Sequence, residues 1–280
     1  MRRAGGHLLI VATLAFVASL LAYAMIPRSP PRGSASLDPL SGGPLPGVDI
    51  VGLFLRPPNL AMGSLMALAI AALLYHAAYR LQETQRLRTA EAALRDRLGR
   101  RLRAGASGPP PPRQILELHR RDDSLAEHAP AIIGLVAGAV WPWLFPKSPL
   151  AAFLVAAVSL AGFLAAALRG TRQGKLRQQS NPLGFVAGWA TMVTFALFIA
   201  LLQRKLGAPL TLAATVGLAL AALAALSVQL RMGRTIGFSL AVLWGLVALA
   251  ASTVTVNAAL ATLAVLAIAV IVFGLVQAAT

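Results

Sequence analysis

The chain has 280 residues, 58% of them hydrophobic and 12% charged, with 25 Lys and Arg against 9 Asp and Glu and no cysteine; its mean hydropathy is +0.73. This composition lies outside the range of soluble domains and marks an integral membrane protein. The missing cysteines exclude disulfides and thiolate chemistry, and a net charge of +16 reads as membrane topology and attraction to anionic lipid, not as nucleic-acid binding.

A helix needs roughly 20 apolar residues to cross a hydrocarbon core about 30 Å thick. Eight segments meet or approach this: 8–26, 60–80, 130–146, 149–168, 183–203, 208–230, 236–252 and 257–278. The expected fold is therefore all-α, a polytopic bundle of about eight transmembrane helices. Met1-Arg2-Arg3 precedes the first segment as in a signal peptide, but no small-x-small cleavage site follows Tyr23-Ala24-Met25, so it is read as a retained helix. Residues 27–58, "PRSPPRGSASLDPLSGGPLPGVDIVGLFLRPP", are too rich in Pro, Gly and Ser for regular structure and form a loop outside the cytoplasm.

The second span leads into a basic insertion over 81–128. Leu87, Leu94, Leu98 and Leu102 share one helical face there, while Arg86, Arg88, Arg95, Arg97, Arg100, Arg101 and Arg103 lie mostly elsewhere. Such a helix either extends the second span or lies along the cytoplasmic surface, facing lipid or docking a partner. "GASGPPPP" at 105–112 is a linker. The third span ends in "VWPWLFPKSPLAAF" at 140–153, where Trp141 and Trp143 sit at the depth indoles prefer and Pro146-Lys147-Ser148-Pro149 turns the chain into an αα-hairpin. Gly134 and Gly138, Gly184 and Gly188, and Gly233 and Gly237 stand four apart, a spacing that lets helix backbones approach closely.

Charge orients the chain. Arg2, Arg3, the arginines of 80–127, Arg169, Arg172, Lys175, Arg177, Arg231 and Arg234 fall on one side, against Arg28, Arg32, Arg56, Lys147, Arg204 and Lys205 on the other. Both termini are expected in the cytoplasm, with a bacterial inner membrane as the host.

Every acidic residue lies at or before Glu127, and His7, His76, His119 and His128 all precede the third span, so residues 129–280 contain no Asp, Glu, His or Cys. Proton relays, metal centres and carboxylate catalysis need those side chains inside a protein cavity. No catalytic or metal site is expected, and Ser159, Ser180 and Ser239, lacking a base, read as packing or loop residues. His76, between Tyr75 and Tyr79, reads either as an interfacial residue in an aromatic belt or as a ligand to a tetrapyrrole metal.

The hairpin stretch, "NPLGFVAGWATMVTFALFIALLQ" at 181–203 and "RPPNLAMGSLMALAIAALLYHAAYR" at 56–80 stand in an order and spacing that resemble the TspO/MBR group, the tryptophan-rich sensory or translocator proteins. The resemblance covers residues 8–203 as a five-helix core. Residues 1–80 hold its first two helices, 81–128 form a cytoplasmic insertion, 129–203 complete the core, and 204–280 add a three-helix extension. It implies a bundle that binds porphyrins and related hydrophobic ligands between helices, in a regulatory or transport role, with no cofactor required. Trp141, Trp143, Phe145 and Trp189 match the family's aromatic positions, and His76 and Tyr79 are further candidate contacts. The chain departs from the family at Asn59-Leu60, where a tryptophan is expected, and at Leu197, where an asparagine is usual.

Two functions follow from this reading. One is a TspO-like membrane protein binding a hydrophobic ligand of the tetrapyrrole class. The alternative is a non-catalytic accessory subunit of a larger photosynthetic or respiratory complex, with other membrane subunits or a second copy of the chain as partner. A secondary transporter would need intramembrane charges that the spans lack.

Overall fold

The computed structural model describes residues 4–26, 36–37, 44–45, 48–103, 125–172, 177–232 and 236–279. The helices are α1 (Ala4–Met25), α2 (Ile50–Leu55), α3 (Leu60–Arg103), α4 (Leu125–Leu144), α5 (Pro149–Arg172), α6 (Arg177–Leu206), α7 (Leu210–Met232), α8 (Gly237–Thr253) and α9 (Ala258–Ala279). Apart from these, Ser36–Leu37 (β1) pairs antiparallel with Pro44–Leu45 (β2). Among the described residues, six helices are long and apolar enough to cross a membrane, and two shorter apolar helices, His128–Leu144 and Gly237–Thr253, stand beside them. At 1.5 Å per residue each of the shorter two covers about 25 Å, the lower end of the spanning range. The chain is an integral membrane protein built as a helical bundle.

Each helix packs on specific neighbours. α1 lies against α4, α4 against α5, α5 against α6, α6 against α3 and α3 against α1, closing a ring of five. α6 also packs on α7 and α8, and both of these meet α9, so α6, α7, α9 and α8 close a second circuit. α6 is therefore common to both. Its apolar window is 72% buried, against 28–39% for the other five long helices. The sequence explains this centrality: Gly184, Ala187, Gly188, Ala190 and Ala196 are distributed around α6, so neighbours can approach it from several sides.

Two crossings depend on glycine. Where α4 meets α5, a Cβ on Gly162 would stand 2.6 Å from the Pro130 carbonyl oxygen and 2.8 Å from the Gly134 Cα. The Ser159 hydroxyl fastens the same crossing, donating to the Gly134 carbonyl at 2.7 Å. Where α6 meets α8, a Cβ on Gly188 would lie 2.6 Å from the Phe238 carbonyl oxygen, and one on Gly237 would collide with the Asn181 backbone. A Cβ on Gly184 would meet the Phe238 amide nitrogen tightly, at 3.3 Å, and Gly138 faces the Phe16 ring. Gly233 lies outside the described residues.

The α4–α5 turn marks one end of the bundle, called here the hairpin end. The ends of α1, α6 and α8 and the starts of α3, α5, α7 and α9 gather with it. The stretch 27–58, expected to be a loop throughout, is not one at its end. Its last third, Val48 to Leu55, folds as the short helix α2, with Ile50, Val51, Phe54 and Leu55 buried against α6, α3 and α1. Asp49 starts it by accepting the Gly52 amide at 2.9 Å, and four buried apolar residues in six supply the burial that Pro- and Gly-rich sequence upstream cannot. α2 thus plugs the hairpin end.

The opposite end is distinguished by α3. At 44 residues this helix is roughly 66 Å long, far more than a bilayer requires, and its apolar part stops at Glu83. Of the two geometries open to the basic segment, the structure has the extension: the helix runs unbroken to Arg103. Along it Gln85, Arg86, Thr89, Ala92, Ala93 and Asp96 are exposed. We call this the rod end. The linker at 105–112 lies outside the described residues.

Candidate functional site

The six aromatic and histidine candidates occupy three levels of the bundle instead of one pocket. At the hairpin end, Trp143 is half exposed and its indole Nε1 donates to the Ser19 hydroxyl at 2.8 Å, which in turn donates to the Ala139 carbonyl at 2.6 Å. Tyr23 meets Trp143 edge to face at 5.6 Å. The Arg56 guanidinium lies 4.7 Å from the centre of the Tyr23 ring and its Nε donates to the Tyr23 carbonyl at 3.2 Å. Nearby, Arg204 sits 4.5 Å over the buried Phe145 ring. Arginine and aromatic faces attract through the ring quadrupole, so Arg56, Tyr23 and Trp143 form one cluster at this end and Arg204 and Phe145 a second contact. Trp141 is buried in the core on the inner side of this cluster.

At the middle level the five-helix ring has an aromatic centre. Phe16 from α1 packs edge to face on Phe163 from α5 at 6.2 Å and on Trp189 from α6 at 6.1 Å. All three are at most 2% exposed. The Phe16 ring occupies the space that Gly138 leaves open: a Cβ there would lie 2.5 Å from it. Edge-to-face pairs of this kind add to the ordinary burial energy of the rings. The Trp189 Nε1, however, is buried with no hydrogen-bond partner among the described residues. Indole N–H groups nearly always find an acceptor when buried, so this one is an unfilled donor at the centre of the ring.

His76 and Tyr79 belong to the third level. Leu65 of α3 and Met192 of α6, three residues from Trp189, both approach Gly245 of α8; His76 stands eleven residues further along α3 from Leu65, about 16 Å away. His76 is buried, while Tyr79 is partly exposed and stacks in a tilted pair with Tyr75 at 6.3 Å. Neither can share a small ligand with Trp143 or Phe145. Among the described residues no group of three His, Cys, Asp or Glu could hold a metal ion.

Sequence reasoning missed Phe16, Phe163, Tyr23 and His128, and took Arg56 and Arg204 only as topology markers. Phe16 and Phe163 lie in helices apolar on all sides, where periodicity names no buried face. Their one signal was aromatic size opposite glycine. No protein-family model, curated protein or solved structure matches the chain.

Proposed function

We propose that this chain is a non-enzymatic, TspO-like membrane protein that binds a hydrophobic ligand of the tetrapyrrole class within its five-helix ring, in a regulatory or transport role. The observation that carries the reading is the unfilled Trp189 indole N–H inside the five-helix ring, with Trp189 packed on Phe16, which in turn meets Phe163. The five helices that close the ring are those within residues 8–203, the extent of the TspO/MBR resemblance. A planar, polarisable ligand stacks on aromatic faces, and an acceptor on it would satisfy the indole. Arg56 and Arg204 at the hairpin end suit the carboxylates such ligands carry. Entry requires Phe16 to swing aside, since its ring now fills the gap over Gly138.

The test is a protoporphyrin IX titration of the detergent-solubilised chain, read by the Soret band and by tryptophan quenching. Trp189→Phe should weaken binding several-fold, up to about tenfold, while the unliganded variant keeps its stability because a buried unpaired donor has been removed. No binding by the native chain, or equal binding by the variant, overturns the reading.

The accessory-subunit reading is favoured by a different observation: α3 continues about 30 Å past its apolar segment with seven arginines against two acids between residues 84 and 103. Migration of the chain within a much larger native complex, lost when residues 84–103 are neutralised by Arg→Gln changes, would support that reading over the first. On either reading the positive-inside rule predicts a cytoplasmic rod and cytoplasmic termini.

A further inference from the structure

The rod end holds a cluster that the ring's chemistry leaves unused. His76 on α3 is 5% exposed, and its Nδ1 is buried with no hydrogen-bond partner among the described residues. His128 on α4 is 3% exposed and lies within electrostatic reach of His76, as does Arg80, one helical turn further along α3. Arg80 Nη1 meets Glu83 Oε2 at 3.3 Å. The Arg80 charge is matched by the Glu83 carboxylate, so what this end offers an anion is a set of guanidinium and imidazole N–H donors.

Depth narrows the occupant. Glu83 closes the apolar segment of α3 and His128 opens that of α4, so the cluster lies where hydrocarbon gives way to headgroups. An imidazole nitrogen buried without a partner is destabilising unless an occupant supplies one. Two histidines fall short of the three protein ligands that a typical zinc site uses, which argues against a metal. A phosphodiester at this depth offers acceptor oxygens to a guanidinium and to imidazole N–H groups together. The chain's positive charge further favours lipids with a net negative headgroup.

We propose that His76, Arg80 and His128 form a binding site for the phosphate of an anionic phospholipid at the rod end of the bundle. The lipid's acyl chains run along the bundle's apolar flank, where Tyr75 is exposed, and its phosphate supplies the partner that His76 lacks. This site is separate from the aromatic ring centre, and it holds whether or not a tetrapyrrole binds there.

The test uses the full chain in mild detergent, with native mass spectrometry counting retained phosphatidylglycerol and phosphatidylcholine of matched acyl chains. The native chain should retain one phosphatidylglycerol at least tenfold more strongly than phosphatidylcholine. His76→Phe and Arg80→Gln should each weaken that retention about tenfold, and His76→Gln, which keeps an amide donor, should restore most of it. Size-exclusion elution shows whether each variant keeps the bundle, and if His76→Phe fails to fold, Arg80→Gln and His128→Phe decide. Equal retention of the two lipids by the native chain, or undiminished phosphatidylglycerol in the folded variants, overturns the proposal. So does full displacement of the lipid by millimolar inorganic phosphate that itself binds, since the ligand is then free phosphate.

Discussion

Replacing Gly162 by alanine tests the α4–α5 crossing with a single methyl group. That methyl would lie 2.6, 2.7 and 2.8 Å from the Pro130 carbonyl oxygen, the Gly134 amide nitrogen and the Gly134 Cα. All three are backbone atoms, so no side chain can rotate away. Ordinary contacts need about 3.5–4.0 Å, and the two helices must therefore separate by roughly 1 Å. A gap of that size forfeits a quarter to a half of the dispersion well along the contact, and it stretches the 2.7 Å Ser159 bond to Gly134 beyond hydrogen-bonding range, a loss of ~1 kcal/mol. With the overpacking cost of 1–3 kcal/mol seen in tight cores, the expected destabilisation is about 2–4 kcal/mol. Gly63→Ala is the control. Its Cβ would meet nothing closer than the Pro57 Cβ at 3.8 Å, and alanine's better helix propensity makes it neutral or stabilising by up to ~1 kcal/mol. Both variants are compared by equilibrium unfolding in SDS, followed by far-ultraviolet circular dichroism. If Gly162→Ala unfolds at the native midpoint, the close approach is not a feature of the folded protein and the reasoning fails.

Three further outcomes are expected. Phe16→Ala empties the ring centre and should cost about 3–5 kcal/mol in the same unfolding assay, with a shift in Trp189 emission as its surroundings change. Trp143→Phe removes the indole donor to Ser19 and should cost ~1 kcal/mol, whereas Arg204→Gln, at an exposed cation over Phe145, should cost only about 0.5–1 kcal/mol; a reversed order would contradict the hairpin-end geometry. Finally, a reporter active only in the cytoplasm should be active when fused after Thr280, and an extracytoplasmic signal would refute eight crossings.

The spans were legible because a bilayer imposes a length on the sequence. The segment read as 149–168 is α5 from Pro149 to Arg172, and that read as 208–230 is α7 from Leu210 to Met232. What each helix touches was not legible, since a helix apolar all round carries no amphipathic signal. Gly162 shows the difficulty: four residues away stand Val158 and Ala166, so it belongs to no glycine pair in the sequence, and the residue it meets at the crossing is Gly134 on another helix. α2 escaped for the opposite reason, being six helical residues at the end of a Pro- and Gly-rich stretch. At the site, Trp189 stood out by residue type alone, but its company of Phe16 and Phe163 and its lack of an acceptor are properties of packing. The histidine reading passed over His128, because proximity between two helices leaves no spacing to detect.

The central position of α6 also sets a timetable. Apart from α1 and the short α2, the helices that α3 packs against, α6 and α8, follow it in the chain. At roughly 5–20 residues per second, about 6–25 s of synthesis separate the end of α3's apolar segment from the end of α6. Through that interval the side of α3 meant for α6 has only lipid, or the insertion machinery, to face. The ring closes late, on arrival of α6, and until then Phe16 has no Trp189 to pack against.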